Sequence, residues 1–297
     1  MKTKTLRTLS SLGWIILAMA IISFSGCASK KAAWGSLEKG MVMQYQLHPD
    51  KDLNYSNSTS FEQTITVMEQ EISITSESEQ LIKMMPIVDK SDDLTYEVTM
   101  EALSSVINTP RGEMIAKPEE VIGKPFKLTI SSLGIELEYS GAEALTYDYG
   151  TGDTKSLSSD IQAFFPDLPD HPVRTGDSWE SHDKITEISS NGKLIMEFNN
   201  INTFEKIENF NGYECMKVNV VFLATLKGEG EQENLQLITT GEVEGTATWY
   251  YAYKEGIYVS QLGEGKGKTI TQVIGGPQEM SLPANRIYTM KTELLNE

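Results

Sequence analysis

Lys217-Val-Asn-Val-Val-Phe-Leu-Ala-Thr-Leu226 is the stretch on which the fold turns. Val218, Val220, Phe222, Ala224 and Leu226 fall on every second position, and a β-strand returns its side chains to the same face every two residues. An α-helix would need its apolar residues three and four apart. The same period runs through Leu94, Tyr96, Val98 and Met100, and again through Tyr288 and Met290 before Leu294. One apolar face per strand is the pattern of antiparallel sheet packed on one side and wet on the other. Between Phe61 and Ile74 the parity flips: Phe61, Ile65 and Val67 are odd, Ile72 and Ile74 even. A turn or bulge near Glu69 to Glu71 is therefore predicted, because a one-residue slip would otherwise turn the apolar set outward.

Working outward, Ser131-Ser-Leu-Gly134, Asn209-Phe-Asn-Gly212 and Lys254-Glu-Gly256 each place a glycine after a strand, where a hairpin needs positive φ. The expected class is all-β with minor α content, about a dozen long antiparallel strands in a curved sheet or half-barrel. Helical patterning is confined to Ser156 through Phe165. Ser156 can cap, Leu157, Ile161, Phe164 and Phe165 share a stripe, and Pro166 stops the run.

The predicted organisation is two similar β halves, 41–165 and 166–297, joined by that short helix and a proline-rich connector into one compact unit. Gly40-Met-Val-Met43 and Gly176-Asp-Ser-Trp179 start alike, and hairpins centred on Gly134 and Gly256 align, which suggests duplication. Pro166, Pro169 and Pro172 stiffen the connector, and Gly176-Asp177 turns it into a strand beginning at Trp179.

The 297 residues carry 42 acidic and 25 basic side chains, a formal charge of -17, with 39% hydrophobic and 8% aromatic residues. That apolar content builds a core and excludes both disorder and a polytopic membrane protein. The acidic balance excludes nucleic acid as a partner, since phosphates must be met by Lys and Arg. Residues 1–26 read as a secretory signal: Lys2, Lys4 and Arg7 precede the apolar run Leu12 to Ile22, which is shorter than the about 20 residues a spanning helix needs. Removing it takes away basic side chains and no acidic one, so anionic lipid headgroups repel what remains.

Phe24-Ser-Gly-Cys27 resembles the lipobox of bacterial lipoproteins, with Phe24 in place of the usual Leu. The resemblance implies lipid on the Cys27 thiol and cleavage before it, leaving 27–40 as a lipidated tether. Membrane contact is then expected through acyl chains, at about 0.8 kcal/mol per buried CH2. Ala28-Ser-Lys-Lys31 lacks both the Asp that signals inner-membrane retention in enteric lipoproteins and an acidic surface-export cluster, which by resemblance favours the outer membrane, facing the periplasm. With Cys27 lipidated, Cys215 has no disulfide partner and reads as a buried structural thiol. The connector, Phe164-Phe-Pro-Asp-Leu-Pro-Asp-His-Pro-Val-Arg-Thr-Gly-Asp-Ser-Trp-Glu180, resembles a pattern in uncharacterised Bacteroidota envelope lipoproteins. That implies a β-rich envelope lipoprotein and nothing about catalysis.

The remaining motifs argue against chemistry. Gly267-Lys-Thr269 lacks the Gly that a phosphate loop requires at position 262, where Leu stands, and strand-like residues follow it. His48, His171 and His182 show no zinc-type spacing, and Asp148-Tyr-Gly-Thr-Gly-Asp153 lacks the alternating ligands of a calcium loop. No nucleophile elbow or Cys-His pairing is found, so neither an enzyme, a metal nor a cofactor is expected. The aromatic and methionine content is more telling. On a curved sheet Trp249, Tyr251, Tyr253 and Met100 would line an apolar pocket for a lipid or other small apolar ligand, Met adapting its shape and Tyr offering a polar rim. By shape and address the chain resembles half-barrel envelope lipoproteins that hold or shuttle lipids. The alternative is a structural or interaction subunit of an envelope assembly whose core is filled, with a protein partner that the sequence does not name.

Overall fold

The computed structural model describes residues 34–296 apart from 233 and 277. The signal, Cys27 and most of the tether lie outside the described residues. In chain order the strands are β1 (Gly35–Ser36), β2 (Gly40–Met41), β3 (Leu53–Val67), β4 (Gln70–Ile87), β5 (Leu94–Thr109), β6 (Gly112–Ile115), β7 (Pro125–Ile130) and β8 (Glu136–Glu138). They continue as β9 (Thr146–Asp148), β10 (Thr154–Ser156), β11 (Ser178–Ser189), β12 (Gly192–Phe210), β13 (Tyr213–Gln232), β14 (Leu235–Ala252), β15 (Ile257–Ile274) and β16 (Met280–Leu294). All but the small β1–β2 pair join one antiparallel sheet, curled into a half-barrel, in the order β8-β7-β5-β4-β3-β16-β15-β14-β13-β12-β11-β10-β9 with β6 beside β5. The class expected from the two-residue period is the class observed.

The curl follows from connectivity. Thirteen strands spaced about 4.8 Å apart would span about 58 Å if flat. The two edges, β8 and β9, are consecutive in the chain, and the link from Glu138 to Thr146 reaches at most about 28 Å at 3.5 Å per residue. The sheet therefore has to bend round on itself. It is drawn further in where Lys117, just past β6, bridges Asp148 of β9: the Lys117 amide donates to the Asp148 carbonyl at 2.7 Å, and its Nζ lies 2.8 Å from Oδ2.

Turn chemistry is where the sequence placed it. The parity flip is the β3–β4 hairpin, whose turn residues Met68 and Glu69 have φ of 47° and 66°. Asn211 and Gly212, at 53° and 86°, join β12 to β13 by the same two-residue turn. The predicted helix is only a 3-10 turn, Leu157–Asp160. Ser156 does cap it, accepting from the Ser158 amide at 3.2 Å, but Ala163 at φ 56° ends any helical path before the two phenylalanines.

The proline-rich connector separates the two halves in sequence but not in space. The halves meet directly through eleven paired positions of β16 and β3. The connector instead lies inside the curl, held by Trp179 Nε1 donating to the Asp167 carbonyl at 3.1 Å and Tyr45 Oη donating to that of Pro166 at 2.9 Å. The contributions are unequal: β7 and β8, on either side of Gly134, have 6 and 3 residues, whereas β14 and β15, on either side of Gly256, have 18 each.

Candidate functional site

The half-barrel has two ends. The turns 87–94, 210–213 and 252–257 lie at one, the floor; the turns 67–70, 109–112, 189–192 and 232–235 lie at the other, the mouth. At the floor the interior is filled. Phe164 and Phe165 wedge among Tyr55, Tyr45 and Tyr258, with ring centroids 5.2 Å apart for Tyr55–Phe164 and 5.4 Å for Tyr45–Phe165. The phenols of Tyr45, Tyr55 and Tyr258 each find an acceptor, Tyr55 in the Tyr258 carbonyl at 2.8 Å.

Toward the mouth the same concave face is hollow. A cavity of about 420 Å3 is walled by Met196, Phe198, Val220, Phe222, Ala224 and Leu226, the inward positions of β12 and β13. The β13 set is the alternation that marked the chain as strand. Its size lies in the range of small-molecule pockets, ~300–1,000 Å3. Gly245 and Gly265, opposite each other on β14 and β15, leave the sheet bare where the tip of the Phe222 ring lies against it. A Cβ on Gly265 would sit 3.1 Å from Phe222 Cζ.

The inner end of the cavity is polar. Trp249, 1% exposed, packs edge-on against Trp179 at 6.0 Å and points its Nε1 at Asn202 Oδ1, 3.3 Å away. Asn202 and Asn200 both donate to Ser181 Oγ, and Asn200 donates to Asp183 Oδ2 at 2.6 Å. Asp183, Asp167 from the connector and Glu136 from edge strand β8 form a group of carboxyls that repel one another. Burial, reinforced by Asp183 and Asp167, pushes Glu136 up to about 8; burial and Asp183 push Asp167 up to about 7; burial raises Asp183 as well. Glu136 Oε1 also accepts from the Phe164 amide at 3.1 Å, which ties the cluster to the floor packing.

Of the four residues proposed for ligand contact, Trp249 lines the cavity. Tyr251 is fully buried in the floor, its hydroxyl donating to the Gln44 carbonyl. Tyr253 bonds Glu214 at 2.8 Å, and Met100 is buried in the core of the N-terminal half. The Asp148 loop is used internally: Oδ1 accepts from the amides of Gly150 and Gly152 and Oδ2 from Lys117, contacts that hold its carboxyl below the usual range. His171 pairs with Asp170 on the surface. Among the described residues no His, Cys, Asp and Glu side chains gather into a metal-binding group.

Sequence reading missed the carboxyl cluster because its members come from three distant segments. One signal was present: Asp183 occupies the same inward parity as Trp179, Ser181 and Ile185 on β11, a charge written into a core position.

No family model and no curated protein matches the chain. Among solved structures it is similar to OccK5 (OpdH) of Pseudomonas aeruginosa, at 6% identity and a TM-score of 0.25 over 83% of this chain and 99% of that one. OccK2 (OpdF) of the same organism, in complex with glucuronate, follows at 6% and 0.23 over 84% and 100%. A BenF-like porin from Pseudomonas fluorescens Pf-5 stands at 6% and 0.18 over 83% and 99%. TM-scores of this size carry no argument about fold or function.

Proposed function

We propose that this protein is a lipid-anchored lipoprotein of the bacterial envelope, seated on the outer membrane and facing the periplasm, that holds a lipid or other apolar ligand in the concave cavity. The observation that supports the reading is the contrast inside one sheet. The floor is filled with interlocked aromatics, while the mouth leaves about 420 Å3 open against an apolar wall. A structural subunit with a filled core has no need of that hollow. The Cys27 anchor supplies the address, because a body this acidic gains nothing from anionic headgroups.

The test is native mass spectrometry of the intact lipoprotein extracted in polymer-bounded lipid discs, which avoids filling the cavity with detergent. An adduct of lipid mass that survives gentle activation is the expected result, and its loss in Ala247→Trp, which fills the cavity wall, locates it. A clean ligand-free mass together with a reproducible crosslinked protein would favour the interaction-subunit alternative. Fractionation of Cys27→Ala tests the anchor: the variant should leave the membrane fraction.

A further inference from the structure

Among the described residues, two polar atoms of the concave face are buried without a hydrogen-bond partner, Arg286 Nε and Thr269 Oγ1. They lie on neighbouring strands. Arg286 of β16 stands opposite Gly267 and Thr269 of β15 opposite Ala284, which makes them diagonal neighbours on one face of the sheet. Thr269 has the parity of Gly263 and Gly265, which line the cavity, and is only 2% exposed, so that face is the inner one.

Arg286 is held in place, but not by a carboxylate. Its guanidinium lies 5.5 Å from the Phe61 ring centroid, and Nη1 donates to the Tyr288 hydroxyl at 3.2 Å. Phe61 and Tyr288 themselves line the cavity. A smaller hollow of about 240 Å3 adjoins it, lined by Arg286, Leu194 and Thr239, by Glu187, which it shares with the first, and by Lys193 and the exposed Glu229 and Glu231; the Glu187 carboxylate lies 3.3 Å from Lys155 Nζ. Among the described residues no acid pairs with Arg286, in a chain with 42 acidic side chains for 25 basic ones. Partly desolvated cations are costly unless paired, and an unpartnered buried donor beside an unpartnered hydroxyl leaves the pairing to something outside the chain.

From this arrangement we infer that the cavity selects an amphiphile with one anionic head, a carboxylate or a phosphate. The head sits on Arg286 and Thr269 at the mouth, and the chain runs along Phe222 toward Trp249. The inner end reinforces the polarity, because Asp167 and Asp183 line it and Asn200 already donates to Asp183, so an anionic head entering first would meet acids where Arg286 offers a cation. This rests on the apolar-ligand reading and adds the head, its charge and the direction of entry.

The experiment uses the intact lipoprotein in phosphatidylcholine discs with three photoreactive probes of equal chain length: a palmitic acid, a hexadecanol and a lysophosphatidic acid. Labelled positions are mapped by peptide sequencing. The expected result is labelling of cavity residues by all three, with at least one anionic probe labelling about tenfold more than the alcohol, the effect of one charge-assisted hydrogen-bonded contact. Arg286→Gln should remove that excess and leave alcohol labelling within about twofold, an internal control that the cavity is still formed, while Arg286→Lys should retain part of the excess. Whichever anionic probe loses its advantage identifies the head. Thr269→Val separates binding from a structural role. Removing an unpaired buried hydroxyl should leave thermal stability equal or higher while lowering anionic labelling several-fold. Equal labelling by acid and alcohol in the parent protein, or undiminished acid labelling in Arg286→Gln, overturns the inference and leaves the apolar-ligand reading standing. No labelling by any probe overturns both.

Discussion

The floor and the mouth of this half-barrel are built from the same strands, yet one is solid and the other hollow. On β14, Trp249 and Tyr251 are two residues apart on the same face; the first borders the cavity and the second is sealed beneath it. The difference is made by what the chain places inside the curl. At the floor the connector inserts Phe164 and Phe165 and the N-terminal segment adds Met43 and Tyr45. Beyond Asp167, at the inner end of the cavity, no other segment among the described residues follows them toward the mouth. A sheet face of fixed composition is thus core or binding wall according to which other segment covers it.

The largest effects should separate the two ends. Tyr55→Ala, at the floor, is expected to lower the free energy of urea unfolding by about 3–5 kcal/mol, the usual cost of truncating a large buried aromatic. Phe222→Ala, at the mouth, should cost about 1 kcal/mol, because one side of its ring already lacks protein neighbours. Equal costs would break the contrast and mean that the mouth is as tightly packed as the floor.

Next in size is the bare strip under Phe222. Gly245→Ala should destabilise by about 1–3 kcal/mol by driving a methyl group into the Phe222 ring and the Glu264 carbonyl. The double variant with Phe222→Ala should recover part of that loss, a coupling that a double-mutant cycle measures directly. Gly228→Ala, whose added Cβ would be 3.2 Å from the end of Leu194 and 3.3 Å from Thr239 Cβ, should cost less than Gly245→Ala, because neither contact is as close as those at Gly245.

The carboxyl cluster gives a smaller, pH-dependent effect at the boundary between the ends. Glu136 and Asp167 bind protons more tightly folded than unfolded. The stability they contribute is therefore complete below the ordinary carboxylate range and lost as pH rises through about 7 for Asp167 and about 8 for Glu136. The melting temperature should fall across that window, and Glu136→Gln, which keeps the acceptor for the Phe164 amide, should flatten the fall. A flat profile in the parent protein would remove the cluster from the interior. Smallest of all is the response of Cys215. Burial pushes its thiol up to about 12, so the native protein should leave a thiol reagent unreacted at neutral pH and react only on unfolding.

Legibility followed distance along the chain. The strand period around Val220, the two-residue turns at Met68-Glu69 and Asn211-Gly212, and the cap at Ser156 are local consequences of side-chain alternation and φ preference, and each appears where it was read. The helix beyond Asp160 failed because its apolar stripe serves a different purpose. Phe164 and Phe165 are wedges for a curved sheet, and tertiary packing outweighs a weak helical pattern of ten residues. Of the aromatic residues on one hairpin, pattern alone could not say which would border a hollow. Arg286 passed unnoticed for the same reason: on β16 it is one polar residue among alternating neighbours until the strand's face is known.

Local chemistry thus determined by itself that this chain makes strands, where β3–β4, β7–β8, β12–β13 and β14–β15 turn, and that its N-terminus carries a lipobox-like Phe-Ser-Gly-Cys. Only the tertiary structure decided that the last strand would pair with β3, that the connector would fill the floor and stop short of the mouth, and that Arg286 would face inward with no acid paired to it among the described residues. Those outcomes depend on contacts between residues more than a hundred positions apart. Their free energies come from burial and pairing that no local window contains.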